Sequence, residues 1–341
     1  MKKTRVAING LGRIGRAFLK VALKRSELQI IAVNDLGDLE NLAYLLKYDT
    51  AYGISPFSVD IVDGKLVVDG HIISCYSEKD PTQLPWGELD IDVVIESTGV
   101  FTEYSKANIH REAGAKRVVI SAPGKGDAFS GVDSATVLMA INDEKLETCQ
   151  ISSNGSCTTN ATSPIVGILG DSVGIEKAVL NTIHAYTASQ PIVDGPNKKD
   201  WRQGRAGAQN MIPTSTGAAI AVTQALPELE GKFDGIAVRV PVIAGSLADI
   251  TFISKRNTTV EEINTLLKEA SIDARWSRVF SVTEDSLVSS DILGSPYAAI
   301  ADLGMTRVVD GNLVKVLAWY DNEMGYTHTL VDHVIRIGDF L

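Results

Sequence analysis

The sharpest polar cluster in the chain is Ser153-Asn154-Gly155-Ser156-Cys157-Thr158-Thr159-Asn160. It follows a stretch that reads as a strand ending near Ser152 and precedes the apolar helical run 165–169, so Cys157 falls near a helix amino end. There the helix dipole and unpaired N–H groups favour thiolate over thiol, which predicts a lowered pKa and a nucleophilic sulfur. A lone cysteine is usually a small buried hydrophobe, and Cys75 and Cys149, set in apolar strands, are read that way. Cys157 differs because hydroxyl and amide side chains surround it. His184 ends a predicted strand, 177–186. An imidazole there could act as general base for a thiol or hemithioacetal and orient an aldehyde oxygen. An isolated histidine is more often structural, so spacing alone leaves the pairing open. His71, His110, His328 and His333 have no such context and receive no role.

A second set of residues suits a phosphate. Lys198-Lys199-Asp200-Trp201-Arg202-Gln203-Gly204-Arg205 is a basic, glycine-flanked loop, in which Lys198 and Lys199 read as a solvated turn. Pro213-Thr214-Ser215-Thr216-Gly217-Ala218-Ala219 offers hydroxyls and a helix amino end, a natural anion seat. Arg239 sits inside the strand-like run Ile236-Ala237-Val238-Arg239-Val240. An apolar-flanked guanidinium is costly unless an anion or carboxylate meets it.

A third set suits a dinucleotide. Gly10-Leu11-Gly12-Arg13-Ile14-Gly15 is a GxGxxG string, weak evidence alone but stronger at the end of a strand and the start of a helix. Its glycines allow a tight turn and close backbone approach, and the helix end then faces a pyrophosphate. Asp35, 20 residues past Gly15, closes a second strand where an acid accepts bonds from the ribose hydroxyls. The same carboxylate would repel a 2′-phosphate, which favours NAD over NADP.

These groups need a scaffold. The first half alternates short β-branched runs (5–9, 30–34, 93–96, 118–121, 137–140) with helical patterns at 13–24 and 102–113. Continuous apolar strands separated by helices imply a parallel sheet covered on both faces. Past residue 155 the strand candidates lengthen (177–186, 236–240, 247–254, 313–319) and helices become few, chiefly 216–226 and 259–270. The expectation is an α/β Rossmann-type parallel-sheet domain over 1–155 and an α+β catalytic domain with a mostly antiparallel sheet over 156–320. The segment 321–341, helical from about 326 to 337, is expected to pack back onto the first domain. No repeat or low-complexity tract interrupts the chain.

Length and charge exclude other classes. The 341 residues are 45% hydrophobic and 22% charged, ordinary for two globular domains. A net charge of −10 opposes approach to nucleic acid or anionic lipid. No apolar run approaches the roughly 18 residues of a membrane helix. The basic start Met1-Lys2-Lys3-Thr4-Arg5 is followed by only three apolar residues, too few for a secretory signal. Three cysteines show neither disulfide nor metal spacing. The expectation is a reduced, cytoplasmic protein with no membrane, metal or dedicated nucleic-acid partner.

The motifs Ile8-Asn9-Gly10-Leu11-Gly12-Arg13-Ile14-Gly15-Arg16, Ser156-Cys157-Thr158-Thr159-Asn160, Trp201-Arg202-Gln203-Gly204-Arg205 and Trp319-Tyr320-Asp321-Asn322-Glu323 occur in that order. In order and spacing the chain resembles the glyceraldehyde-3-phosphate dehydrogenase family over essentially its whole length. The resemblance implies Cys157 as nucleophile and His184 as base, with Arg13, Ile14, Asp35, Lys79, Thr98, Ser121 and Asn322 on NAD. It implies two anion sites: Thr187, Arg239 and Arg205 for the substrate phosphate, and Ser156, Thr158, Thr216 and Gly217 for inorganic phosphate. Arg205 could serve either. It also implies a homotetramer with the loop around 188–205 near a neighbouring subunit. The departures are Gly155 for the usual alanine, Ala161 for a frequent second cysteine and Met324 for a usual tryptophan; none removes a reacting group.

The implied chemistry is attack of the Cys157 thiolate on an aldehyde, hydride loss to NAD from the hemithioacetal, and transfer of the resulting thioester to inorganic phosphate. Two anion seats are needed because substrate and acceptor are both phosphates. The nearest rival is erythrose-4-phosphate dehydrogenase, in which water can replace phosphate; Thr158, Thr216 and Gly217 argue against it. A non-phosphorylating aldehyde dehydrogenase usually uses a glutamate base, and none is evident. A non-catalytic NAD-binding or RNA-binding protein on the same fold is disfavoured by the charge and by the paired Cys157 and His184.

Overall fold

The computed structural model describes residues 3–126, 129, 131–198 and 200–341. The first two residues of the basic start and the solvated-turn reading of Lys199 lie outside these. The chain divides into two compact units, 1–155 with 330–341, and 156–329.

In the first unit the described residues form a nine-stranded sheet. Its order is Ser134–Thr136, Ile151–Ser153, Arg117–Ile120, Val93–Glu96, Thr4–Asn9, Leu28–Asn34, His71–Tyr76, Lys65–Val68 and Val59–Val62. The first seven run parallel. The last two add as antiparallel hairpins. Val93–Glu96 is buried at every position, as expected of a strand covered on both faces. Strand order reverses at Thr4–Asn9, which lies between Leu28–Asn34 and Val93–Glu96. In such sheets the crevice at the carboxyl ends of the strands flanking the reversal takes the ligand.

Several expected elements shift. The run 137–140 is not a strand but leads into a turn at 139–140, with Ala140 at φ +67°, and the strand lies just before it at Ser134–Thr136. Helix 102–113 resolves into two single turns, Tyr104–Ala107 and Ile109–Glu112, joined at Asn108. Cys149 is buried in the loop ahead of Ile151–Ser153, outside any strand, whereas Cys75 lies in His71–Tyr76 but is only half-buried. The hairpins over 59–76 carry charged turns, and their alternation is too short to stand out in the sequence.

The second unit contains, among described residues, a seven-stranded sheet ordered Ile212–Ser215, Phe233–Val240, Ile175–Ala185, Ser246–Ser254, Leu313–Tyr320, Ala299–Val309 and Phe280–Thr283. Four pairings are antiparallel. Two are parallel, and one of these, Ile175–Ala185 with Phe233–Val240, carries the site. The helix Cys157–Ser172 packs against four of these strands and beside the helices Ala218–Ala225 and Val260–Ile272. Strict alternation in Ser246–Ser254 buries every second side chain. Ala299–Val309, unmarked in the sequence reading, is a long strand whose glycine and charged residues mask its pattern. The last helix, Met324–Gly338, gives its residues from Leu330 onward to the first unit.

Candidate active site

The helix that opens on Cys157 begins where it does for local reasons. Gly155, at φ +65°, turns the chain into the left-handed region, and Ser156 caps the helix. The Ser156 hydroxyl accepts from the Thr159 N–H at 3.1 Å and Thr159 Oγ1 accepts from the Ser156 N–H at 3.3 Å, a reciprocal capping box. Cys157 is therefore the first helical residue. Thr158 to Leu169 are all buried, which fixes the turn beneath the sulfur.

The strand pair supplies the partners. His184 lies near the end of Ile175–Ala185, and its Nε2 is 3.3 Å from Cys157 Sγ. The parallel register sets His184 opposite Arg239. Arg239 Nη1 lies 2.5 Å from His184 Nδ1 and donates to the Ala185 carbonyl at 3.2 Å. The imidazole itself is 3% exposed. Tyr320, which the sequence reading named only within a motif, completes the cluster. Its ring meets that of His184 edge-on at 5.9 Å, and its hydroxyl bonds Thr158 at 2.9 Å and Thr182 at 2.7 Å. The alternation of Leu313–Tyr320, which buries Val314, Val316, Ala318 and Tyr320, was the signal that could have found it.

The electrostatics correct one expectation. Burial pushes the Cys157 thiol up, while the Arg239 charge and bonds from Thr158 pull it down without prevailing. The helix end alone does not give the lowered pKa expected from the sequence. Burial, then the Arg239 charge, lowers His184 to about 3, against the pull of the Ala185 carbonyl. Burial thus disfavours the charged form of each group. Arg239 has no ion-pair partner among the described residues, and its buried Nε has no hydrogen bond. A half-buried guanidinium in that condition has donors to offer an anion.

The remaining expected phosphate ligands are placed as follows. The Thr158 hydroxyl is turned to Tyr320. Thr216 caps the turn into Ala218–Ala225 by accepting from the Ala218 N–H at 3.2 Å, and Gly217 is the exposed N-cap residue. The Thr187 hydroxyl bonds Ser189 at 2.9 Å. Arg205 is exposed and held by Asp194 at 2.7 Å. Cys157, His184 and Arg239 form a chain of direct side-chain contacts, and Thr158 Oγ1 also reaches Cys157 Sγ, at 4.0 Å. Asn322 receives bonds from the Gly245 N–H and Ser246 hydroxyl, both at 3.1 Å.

The first unit holds a cleft of about 460 Å³ lined by Asn9, Gly10, Gly12, Asn34, Asp35, Lys79 and Thr98 among others. Its glycines are steric requirements. Gly10 is at φ +97° and a Cβ there would fall 2.8 Å from Thr98 N; a Cβ on Gly15 would fall 2.0 Å from Gly10 O. Gly12 faces open space and no side chain caps the helix Arg13–Ala22 behind it. That leaves a helix amino end open to a pyrophosphate. Asp35 accepts the Leu11 N–H at 2.6 Å and the Gly37 N–H at 2.8 Å, with lone pairs left for ribose hydroxyls. Arg13 is paired with Asp49 at 2.6 Å, Ile14 sits in the first helical turn, and Ser121 follows Arg117–Ile120.

Beneath the cleft lies a network that sequence reasoning missed. Glu96, fully buried, accepts from Asn9 at 2.6 Å, from the Thr98 N–H at 2.9 Å and from the Thr98 hydroxyl, and meets His110 Nε2 at 3.0 Å. Trp86 donates to His110 Nδ1 at 3.2 Å, so the ring carries its proton on Nε2 and donates to Glu96. His110 therefore has a role after all: it helps hold the cleft floor.

Among the described residues no cluster of three or more His, Cys, Asp or Glu side chains could hold a metal ion, and no helix is long and apolar enough to cross a membrane. Residues 4–104 match the model for the NAD-binding domain of glyceraldehyde 3-phosphate dehydrogenase, and residues 156–322 match the model for its C-terminal domain. Similar proteins include the glyceraldehyde-3-phosphate dehydrogenase of Clostridium pasteurianum, 47% identical over 96% of both chains. That of Streptomyces coelicolor is 45% identical over 99% of both, and glyceraldehyde-3-phosphate dehydrogenase 1 of Kluyveromyces lactis is 46% identical over 98% of this chain and 99% of its own. With both domain models matched and such identity sustained from end to end, the chain belongs to the glyceraldehyde-3-phosphate dehydrogenase family.

Proposed function

We propose that this protein oxidises D-glyceraldehyde 3-phosphate to 1,3-bisphosphoglycerate with NAD and inorganic phosphate. The observation that carries the reading is the contact of Cys157 Sγ with His184 Nε2 at 3.3 Å, beside a guanidinium with no carboxylate partner among the described residues. Cys157 Sγ forms a bond to the aldehyde carbon as the carbonyl electron pair moves to oxygen, and His184 carries the thiol proton to that oxygen. The Gly10–Gly15 turn and Asp35 would hold NAD, which would supply the hydride acceptor needed for the hemithioacetal to become a thioester. His184 takes the hydroxyl proton as the carbonyl re-forms. Inorganic phosphate then attacks the thioester carbon, the C–S bond breaks, and His184 returns a proton to sulfur. Arg239 anchors the substrate phosphate, and the Ser156 and Gly217 helix ends receive the attacking phosphate.

The protein works in the cytoplasm as a homotetramer on this reading. Exposed Val179, Ile220 and Ile236 on the second unit, and Ile192 and Trp201 on the loop, support self-association. Sedimentation should give a species near four times 36.6 kDa; a monomer at micromolar concentration would remove that part.

The decisive assay is reduction of NAD with glyceraldehyde 3-phosphate, with and without inorganic phosphate, repeated with erythrose 4-phosphate and with NADP. We expect phosphate-dependent NADH formation, faster with the three-carbon sugar and with NAD. Cys157→Ser should lower it at least about a thousandfold, because a hydroxyl is scarcely ionised near neutral pH. Near-normal activity of that variant would overturn the mechanism.

A further inference from the structure

Three neighbouring parallel strands of the first unit end on buried polar side chains. Leu28–Asn34 ends on Asn34, Thr4–Asn9 on Asn9 and Val93–Glu96 on Glu96, and the register sets Asn9 opposite both of the others. Donors of fixed sense orient this rung from its two ends. At one end the Glu78 N–H donates to Asn34 Oδ1 at 2.8 Å, and Asn34 Nδ2 donates to the Glu78 carbonyl at 2.9 Å. Asn34 Nδ2 then also donates to Asn9 Oδ1 at 2.7 Å, which turns Asn9 Nδ2 to Glu96 Oε2 at 2.6 Å. At the other end the Trp86 indole occupies the Nδ1 lone pair of His110, so the Nε2–H of that ring reaches the same Oε2 at 3.0 Å. The second carboxyl oxygen, Oε1, accepts from the Thr98 N–H at 2.9 Å and from the Thr98 hydroxyl. A carboxylate, which accepts and does not donate, meets all four donors.

We propose that Glu96 is the positioning residue of the NAD cleft, holding Thr98 on one side and, through Asn9 and Asn34, the Glu78–Lys79 segment on the other, so that the cleft is set before the dinucleotide arrives. The inference deepens the reading of this cleft as the NAD site, on which it rests. Thr98, Glu78 and Lys79 line the cleft, whereas Glu96 is fully buried beneath it. The Thr98 peptide also packs on the glycine turn: a Cβ on Gly10 would fall 2.8 Å from Thr98 N, and the Ser97 hydroxyl donates to the Gly10 carbonyl at 2.6 Å. Moving Thr98 therefore moves the turn that receives the pyrophosphate. Order already present in the free protein need not be created on binding, and affinity gains accordingly.

Glu96→Gln isolates this role. The amide oxygen can serve Asn9 and His110, which leaves the NH2 group facing Thr98. The Thr98 hydroxyl can rotate to accept from it, but the Thr98 N–H then meets another donor, and the disturbance falls on that one peptide. Titration calorimetry of whole protein with NAD, at a temperature where circular dichroism shows both forms folded, should give a Kd about tenfold weaker for the variant, the scale of one buried bond lost. A role confined to stability would lower Tm and leave this Kd unchanged, and that result would overturn the proposal. A second arm needs no variant. In NAD-free parent protein, hydrogen exchange of a peptide spanning 97–101, read by mass spectrometry, should be slower than that of an unstructured chain by about a hundredfold. Exchange at the unstructured rate would overturn the proposal, because the dinucleotide would then order the cleft instead of finding it ordered. Parent protein that bound no NAD would sink the reading of the cleft itself.

Discussion

A thiol, an imidazole and a guanidinium within hydrogen-bond reach do work that none does alone. Burial disfavours the charged forms of Cys157 and His184, Arg239 sets a fixed positive charge against the ring, and Gly155 makes the turn ahead of the sulfur. The glycine can be tested without touching a reacting group. Gly155→Ala places a Cβ at φ +65° and should cost about 1 kcal/mol, lowering Tm by roughly 2–4 °C in a chain of this size. Differential scanning calorimetry measures it, and an unchanged Tm would show that the backbone relaxes. The place of the sulfur near a helix amino end was legible in the sequence because the polar cluster and the apolar run after it are local patterns. The raised thiol pKa was not, because desolvation comes from side chains far along the chain, such as those packed on 158–169.

Elements determine which residues become neighbours. The sequence offered Arg239 as an orphan cation and His184 as a candidate base, but nothing local joins residues 55 apart. Their meeting depends on the parallel pairing of Ile175–Ala185 with Phe233–Val240. The same limit hid Glu96 and His110, whose contact links a strand to a single-turn helix. Tyr320 shows how much an element can hold in place: its hydroxyl ties the nucleophile helix, through Thr158, to the histidine strand, through Thr182. Tyr320→Phe leaves both hydroxyls without this partner. It should cost about 1–3 kcal/mol by urea denaturation. Because the tie between the helix that carries Cys157 and the strand that carries His184 is then lost, kcat should fall more than KM rises. A KM-only effect would contradict this.

Two fully buried imidazoles shape the response of the whole molecule to acid. Burial lowers His333 to about 3, as it does His184. His333 is enclosed by Ser152 at 2.7 Å and Asn154 at 3.2 Å. Unfolded histidines titrate near 6.5, so below that pH the unfolded chain binds protons that the folded chain refuses. The stability these groups contribute is complete above about pH 7 and declines as pH falls from 6.5 towards 3, by about 1 kcal/mol per pH unit for each ring. Urea midpoints at pH 7.5 and 5 measure the decline, and His333→Gln should make it shallower. An unaltered slope in that variant would assign the acid sensitivity elsewhere. The change from a parallel to a mostly antiparallel sheet was legible in the texture of the sequence, since alternating elements give way to long strands past residue 155.

The pairing of His184 with Arg239 makes the phase of two adjacent strands a carrier of chemical information. Slipping Phe233–Val240 by one residue would keep its backbone ladder but bring Val238 or Val240 opposite the imidazole and send the cation to the other face. Such an error would leave a chain that looks folded by circular dichroism yet is silent in turnover. Damage to this seam is therefore detected first by the chemistry, and only later by melting.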